Sequence, residues 1–410
     1  MREVLTSFYK KQFVFFLFFL SPVAALFSPQ SMPLIVIILA FVGGIDYCSQ
    51  KHSIFKNFSL STAHIHRFFL IFMGYGLLSF LWSQSPLLTL ETSGKLGILW
   101  TISLFISHFL QKSQDDYDGF LKALFWGHIA ACLFILMNHF FGNPLAMWKH
   151  VSGAKALVQG GLFLSLSFWV IFSYLLTNMP LTKGRLFLRI SFTALTALTL
   201  ACVHCDTAFY SLFFGCIIAF LFWKAHLPGL KRIVQSLIIL AFLTTPMICF
   251  YAFSPQHFQV YNEKMRDISY LHRLFIWHET SKKIAARPLL GHGLSSYKTV
   301  ADKGFVDIAY TNKKGEKALA HVEKMGIHPH NIALQLWFEL GFLGAALGGA
   351  LTAFLFGVVY DIRNSAIRFC GFGFFSSAML TFWVNLGVFQ TWWIASLIIL
   401  IHLLTLARKR

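Results

Sequence analysis

The stretch His328-Pro329-His330-Asn331 carries two imidazoles, a rigid proline and a helix-capping amide, directly before the long apolar run that begins at Ile332. Histidine changes charge near neutral pH, so a positioned neutral imidazole can take a proton from a hydroxyl group. Pro329 biases His328 away from helical geometry, and Asn331 is a good N-cap for the helix that follows. The pair therefore stands at a helix N-terminus, whose partial positive charge and free N–H groups attract phosphate or diphosphate. Arg273, in an earlier basic segment, offers the planar cation that can hold such a group through two parallel bonds. Arg287 adds a further cation at the end of that segment.

Other residues could join them. His292 lies between Gly291 and Gly293, a pattern that suits a tight turn where the backbone closely approaches a ligand or another segment. After the histidines, Asn331, Gln335 and Glu339 recur at every fourth position. On a helix they form one polar stripe about 12 Å long, at about 1.5 Å per residue. A carboxylate inside an apolar run marks a cavity, an ion path or a buried partner. For Glu339, a substrate role and a bond that fixes a neighbouring helix both stay open. Gly341, Gly344, Gly348 and Gly349 read as helix packing. The run Cys202-Val203-His204-Cys205-Asp206 lacks a second ligand pair of recognisable spacing, so neither a metal nor a cofactor is expected.

The elements that must position these groups are membrane spans. With 57% hydrophobic and only 12% charged residues, the chain does not have a water-soluble profile. A span takes roughly 20 apolar residues. Such runs are read at 13–27, 33–48, 67–82, 96–110, 120–141, 157–178, 186–203, 208–223, 233–253, 331–359, 367–386 and 388–406. The expected fold is an all-α polytopic integral membrane protein with about twelve transmembrane helices. The formal charge of +18 would suit nucleic acid, but the basic residues are dispersed at the ends of apolar runs, which speaks against that partner.

With both termini cytoplasmic, Lys10, Lys11, Lys112, Arg185, Arg189, Lys231, Arg232, Arg363 and Arg368, among others, fall inside. Only Lys95, Lys149 and Lys155 fall in short outer loops. That bias sets the orientation. The first run could also be a signal peptide, with small residues at Ala24 and Ala25, but it is read as a span. Residues 254–330 are polar and far exceed a short loop, and loops of that kind are usually functional. The expected division is an N-terminal bundle over 1–253, a large, partly helical periplasmic loop over 254–330, and C-terminal helices over 331–410. Within the loop a helix is expected from about Tyr270 to Ala286, stopped by Pro288 and lying with its apolar side at the membrane surface.

Taken in order, HRLFIW, PLLGHGLSSY and HPHNIALQLWFELGFLG, within residues 270–345, resemble the O-antigen ligase and O-antigen polymerase family. The earlier spans match only in number and character. The resemblance implies a GT-C-like architecture and a metal-independent, inverting glycosyltransferase that takes a glycan from undecaprenyl diphosphate. It implies that His330 is the catalytic base and that Arg273 contacts the lipid diphosphate, with His328 and His292 in secondary roles. Arg287, Asn331, Gln335 and Glu339 complete the expected substrate-binding set. One departure stands out: where the family often has a second arginine at the outer end of a middle span, this chain reads HCDTAF, with Asp206 or Thr207 in its place. Lys155 or Arg266 could substitute.

The expected function is that of a ligase moving O-antigen or a related polysaccharide to the lipid A core at the periplasmic face of the bacterial inner membrane. Its partners would be the undecaprenyl diphosphate-linked donor, the lipid A-core or another glycan acceptor, and membrane lipids. O-antigen polymerases and protein O-oligosaccharyltransferases use similar motifs. The alternative from another class is a lipid or glycan transporter or flippase, with Glu339 and Asp206 as pathway groups.

Overall fold

The computed structural model describes residues 2–48, 60–141, 153–203, 205–225, 227–254, 257, 261, 267–312 and 314–407. Its helices are α1 (Arg2–Phe27), α2 (Met32–Cys48), α3 (Leu60–Leu78), α4 (Pro86–Lys112), α5 (Tyr117–Phe140), α6 (Gly153–Thr177) and α7 (Lys183–Cys202). These are followed by α8 (Asp206–Phe222), α9 (Leu230–Ala252), α10 (Ile268–Ala286), α11 (Tyr297–Val300), α12 (Ile332–Tyr360), α13 (Ser365–Val384) and α14 (Thr391–Ala407). Among the described residues eight helices are long and apolar enough to cross a membrane, and four shorter apolar helices accompany them. The protein is thus an all-α polytopic membrane protein. Its large loop also carries a hairpin that the helical reading did not anticipate: β1 (Phe305–Thr311) runs antiparallel to β2 (Lys317–Glu323), pairing Phe305 with Glu323 and Thr311 with Lys317.

Helix α6 is the most enclosed of the spans, with Phe163, Trp169 and Val170 fully buried. Small residues on its neighbours make this packing possible. A Cβ at Gly373 of α13 would run into the Trp169 ring, and one at Gly215 of α8 would meet Trp169 and Ser377. Buried hydroxyls find partners nearby: Ser165 donates to the Leu162 carbonyl at 2.8 Å, and the Trp169 indole donates to Ser377 Oγ at 2.9 Å. The buried imidazole of His128 bridges Ser167 of α6 at 2.9 Å and Thr196 of α7 at 3.0 Å, which ties three helices together.

The helix ends sort into two faces. On one, Arg189 donates to the Leu175 and Met179 carbonyls, Arg368 donates to the Trp223 carbonyl, Lys231 pairs with Asp361 at 2.6 Å, and Lys11 pairs with Asp116 at 3.0 Å. The arginines satisfy carbonyls that helix C-termini leave open. On the other face the large loop meets the remaining connections. Trp82 donates to the Leu290 carbonyl at 2.8 Å, Gln84 N–H to the His292 carbonyl at 2.9 Å, and Tyr270 to Asp206 at 2.9 Å.

Helix α12 departs from the uninterrupted helix expected after Asn331. Gly341 has φ 65° and ψ −160°, a conformation open to glycine at no steric cost, and the helix breaks there. The stretch from Ile332 to Leu340 then folds back. A Cβ at Gly348 would overlap the Leu336 side chain, although a straight helix would hold those two residues about 18 Å apart. Trp337 donates to the Phe242 carbonyl at 2.8 Å, and Phe242 also packs on Gly349. Gly344 and Gly348 are therefore packing glycines, but what they admit is the folded-back half of their own helix. Gly341 is the break itself. The polar stripe consequently runs along a short segment pressed against the bundle.

Candidate active site

His330 is one of two non-glycine residues described with positive φ, at 53°. That backbone costs about 1–2 kcal/mol for an L-residue and persists only where neighbours over-determine it. The neighbours are visible. Asn331 caps α12 by accepting from the Leu334 N–H at 3.0 Å, and His330 Nδ1 lies 2.5 Å from the Asn385 carbonyl. A carbonyl only accepts, so Nδ1 carries the proton and Nε2 keeps a free lone pair. Burial pulls the His330 imidazole down to about 4, with Arg273 and His272 acting in the same direction against the Asn385 bond. The ring is neutral at physiological pH. His328 stands beside it with ring centroids 4.1 Å apart. Its Nδ1 faces the His330 N–H at 3.3 Å and its Nε2 the Gln390 amide nitrogen at 3.4 Å. Burial takes its imidazole down to about 3, helped by the charges of His330, Arg273, Lys298 and Lys303. With the His330 N–H donating to Nδ1, a neutral His328 ring carries its own proton on Nε2 and has no free lone pair to take another.

Helix α10 begins where Asp267 caps it by accepting from Ser269 N–H at 3.0 Å, slightly earlier than the sequence suggests. It docks onto the histidine segment through Trp277, whose indole donates to the Pro329 carbonyl at 2.9 Å. Arg273 lies one turn before Trp277, on the same side of the helix. Its Nε is buried without a hydrogen-bond partner, and its guanidinium lies 5.8 Å from the centre of the Tyr270 ring. Tyr270 in turn donates to Asp206, and burial together with that carboxylate pushes its hydroxyl up to about 12. The place that the family resemblance reserves for an arginine is thus an acid already bound by a tyrosine. Arg266 lies outside the described residues, as does the side chain of Lys155.

The remaining candidates separate from this group. The loop after α10 replaces the bonds that the break in α12 removes: His292 N–H donates to the Phe338 carbonyl at 2.9 Å, Gly293 N–H to the Glu339 carbonyl at 2.7 Å, and Phe342 N–H to the Pro288 carbonyl at 2.9 Å. Gly291, with φ 68°, leaves no room for a side chain against residues 339–341. The His292 ring packs on Phe338 and bonds to Gln84 Oε1 at 2.9 Å. Glu339 is fully buried, accepting from Ser295 N–H at 2.5 Å and from the Gln335 amide at 3.0 Å. Gln335 also accepts from Val388 N–H at 2.9 Å. His292, Gln335 and Glu339 thus fasten loop, broken helix and C-terminal segment to each other. A transport reading would need Glu339 free, and its oxygens are occupied. Arg287 is exposed at the C-cap of α10. Among the described residues, no three His, Cys, Asp or Glu side chains are grouped closely enough to hold a metal ion.

Residues 191–349 match the family model of the O-antigen ligase. Three proteins carrying the name "Putative polysaccharide ligase" align along most of the chain. The one from Rickettsia bellii is 27% identical over 83% of this chain and 79% of its own. Those from Rickettsia prowazekii and Rickettsia typhi are 28% and 27% identical, each over 83% of this chain and 80% of their own. The matches support an O-antigen ligase family. The matched region holds Asp206, Arg273, the docking loop and both histidines, and it ends before α13.

The segment from Asn385 to Gln390 therefore lies outside the O-antigen ligase match and has no separate signal in the sequence, where it falls on the abutting ends of the expected spans 367–386 and 388–406. It supplies the Asn385 carbonyl to His330, the Val388 N–H to Gln335 and the Gln390 amide to His328. Gly387 lies so close to the His328 ring that a Cβ there would stand 3.2 Å from it. Two of these contacts are made by the backbone, which leaves no side-chain signal. Lys298 and Lys303, whose charges reach His328, were also not singled out.

Proposed function

We propose that the chain transfers a glycan from undecaprenyl diphosphate to a hydroxyl of the lipid A core, or of a related acceptor, with His330 as general base. The observation that carries this reading is the Nδ1–H bond to the Asn385 carbonyl, which leaves Nε2 unprotonated and the ring fixed in orientation. The acceptor hydroxyl gives its proton to Nε2 while its oxygen bonds to the anomeric carbon. The anomeric bond to the diphosphate breaks, and the electron pair leaves on phosphate oxygen. Attack from the face opposite the leaving group inverts the centre. Diphosphate is a good leaving group, so no general acid is required.

Arg273 is the group that receives the diphosphate. Its buried Nε lacks a partner, and a charge-assisted bond to phosphate oxygen would satisfy it. A cavity of about 390 Å³ lined by Phe214, Val234, Phe242, Phe356, Met379 and Trp383 supports a lipid-linked donor. Trp383 lies two residues before Asn385, so a prenyl chain held there leads toward the histidines. The reaction runs without a divalent metal, at the periplasmic side of the inner membrane. The division into a bundle over 1–253, a loop over 254–330 and C-terminal helices over 331–410 belongs to the same proposal. His328, Asn331, His292, Arg287, Gln335 and Glu339 support the site, the buried members by holding its backbone.

Reconstitution with lipid-linked glycan and a lipid A-core acceptor tests this reading. Wild type should transfer glycan in the presence of a chelator, and His330→Ala and Arg273→Ala should not. Transfer only onto lipid-linked glycan would identify a polymerase. Full transfer by His330→Ala would remove the general base from the mechanism.

A further inference from the structure

The cations around the histidine pair are unevenly placed. Arg273 acts electrostatically on both rings and His272 on His330, whereas Lys298 and Lys303 act on His328. Both lysines belong to a firmly held part of the loop. In α11, which carries Lys298, Tyr297 is buried and donates to the Met325 carbonyl at 3.0 Å, while Thr299 bonds to Ser85. Lys303 Nζ donates to the Gly326 carbonyl, two residues before His328. That partner is neutral, so the charge of Lys303 is not cancelled.

Nearby carboxylates are already engaged. Glu279 pairs with Lys282 at 2.8 Å, and Asp307 with His321 at 2.8 Å. Asp302 accepts from Gly304 N–H at 2.8 Å and pairs with Lys324 at 3.3 Å. Glu91, on α4, pairs with Lys95. Lys298 is exposed and, among the described residues, is in no ion pair. Lys298 also acts on Glu91 and on buried Glu339, but those carboxylates are held, respectively, by Lys95 and by Ser295 N–H and the Gln335 amide. Two positive groups, neither in an ion pair among the described residues, thus border the half-buried histidines on the His328 side, while Arg273 is the cation that also reaches His330.

We propose that Lys298 and Lys303 form an anion-binding rim for the acceptor, receiving phosphate groups that lie next to its reacting hydroxyl. The inference rests on the glycosyl-transfer reading above. Inverting displacement places the incoming hydroxyl and the leaving diphosphate on opposite faces of the sugar, so each needs its own cations. Arg273 serves the leaving group. The lysines give the entering molecule a preferred orientation, with its hydroxyl toward His330, and select acceptors that are charged near that hydroxyl.

The test uses the full chain in zwitterionic nanodiscs and two acceptors: intact lipid A-core, and the same material dephosphorylated with hydrofluoric acid. Acceptor binding is measured directly, and transfer separately. Lys298→Gln combined with Lys303→Gln should weaken binding of the intact acceptor by about tenfold and raise its KM to match, leaving the donor KM unchanged. The same pair should make little difference with the dephosphorylated acceptor, which wild type already binds weakly. Lys298→Gln alone, at an exposed position that carries no packing, should show part of the loss, and Lys298→Arg should restore it. The proposal is overturned if the double variant binds intact acceptor like wild type, if it loses both acceptors equally, if wild type shows no phosphate-dependent binding, or if binding follows added anionic phospholipid instead. His330→Ala should keep acceptor binding while losing transfer. Binding is read without turnover, so failure of the base assignment and failure of the lysine rim give different results.

Discussion

Lowering the pH from 7.5 to 5.5 separates a buried, neutral His330 from an ordinary imidazole. With the ring held at about 4 by burial and by the nearby cations, about 97% is neutral at pH 5.5, whereas an imidazole at about 6.5 would be only about 9% neutral. Proton uptake destroys the base, so activity is lost as pH falls through the folded-state pKa and is retained above it. The expected kcat/KM for donor is therefore nearly flat between pH 5.5 and 7.5, then falls about tenfold per pH unit below about 4. An unperturbed base would already have lost about tenfold across the same interval. The assay is initial-rate transfer from fluorescent lipid-linked glycan at subsaturating donor, with a melting curve at each pH to exclude unfolding. Diphosphate bound beside Arg273 brings negative charge to the imidazole, so the acid limb of kcat should lie at higher pH than that of kcat/KM. His330→Ala should lower kcat by about 10²–10⁴ and abolish the acid limb. A tenfold fall in wild-type kcat/KM between pH 7.5 and 5.5, or an unchanged acid limb in His330→Ala, would refute the argument.

Other perturbations test the supports. Asn331→Asp keeps the cap on Leu334 N–H and adds a negative charge next to His330, so stability should hold while the acid limb moves to higher pH; Asn331→Ala should cost about 0.5–2 kcal/mol in denaturant or thermal melts. Gly341→Ala places a side chain on a backbone with φ 65° and against the Leu289 carbonyl, so it should cost more than the about 1–2 kcal/mol of left-handed strain alone and open residues 288–296 to limited proteolysis. Glu339→Ala removes the acceptor of Ser295 N–H and of the Gln335 amide; melting should show a loss of about 1–3 kcal/mol per buried donor left unsatisfied, with donor KM little changed in the folded fraction. Tyr270→Phe frees Asp206 beside Arg273, and donor KM should rise severalfold if Tyr270 is what keeps that carboxylate from competing with diphosphate.

The parts of the site legible in the sequence are those whose chemistry is local and carried by side chains. His328-Pro329-His330-Asn331 states its own geometry, because the cap is a side chain bonding three residues ahead, and the structure shows that bond. Helix α10 is legible for the same reason, its start shifted only by the Asp267 cap. The hairpin could have been read as well, since FVDIAYT and KALAHVE flank a Lys-Gly turn, but its strands are short beside so many apolar runs. What no local pattern announces is the break at Gly341. It depends on carbonyls and N–H groups of residues 288–293, about fifty positions earlier in the chain, which take over the hydrogen bonds the helix gives up. A glycine among four reads as packing until the segment that breaks the helix is in place. The Asn385 carbonyl is hidden more deeply, because a backbone oxygen is present at every position and only the folded chain selects this one to hold the proton on His330 Nδ1. The proposed base, His330, is therefore visible in the sequence as a residue, whereas its protonation pattern comes from the meeting of three distant segments. Substituting the Asn385 side chain should consequently matter less than inserting or deleting a residue between Asn385 and Gln390, which would carry the carbonyl away from the imidazole.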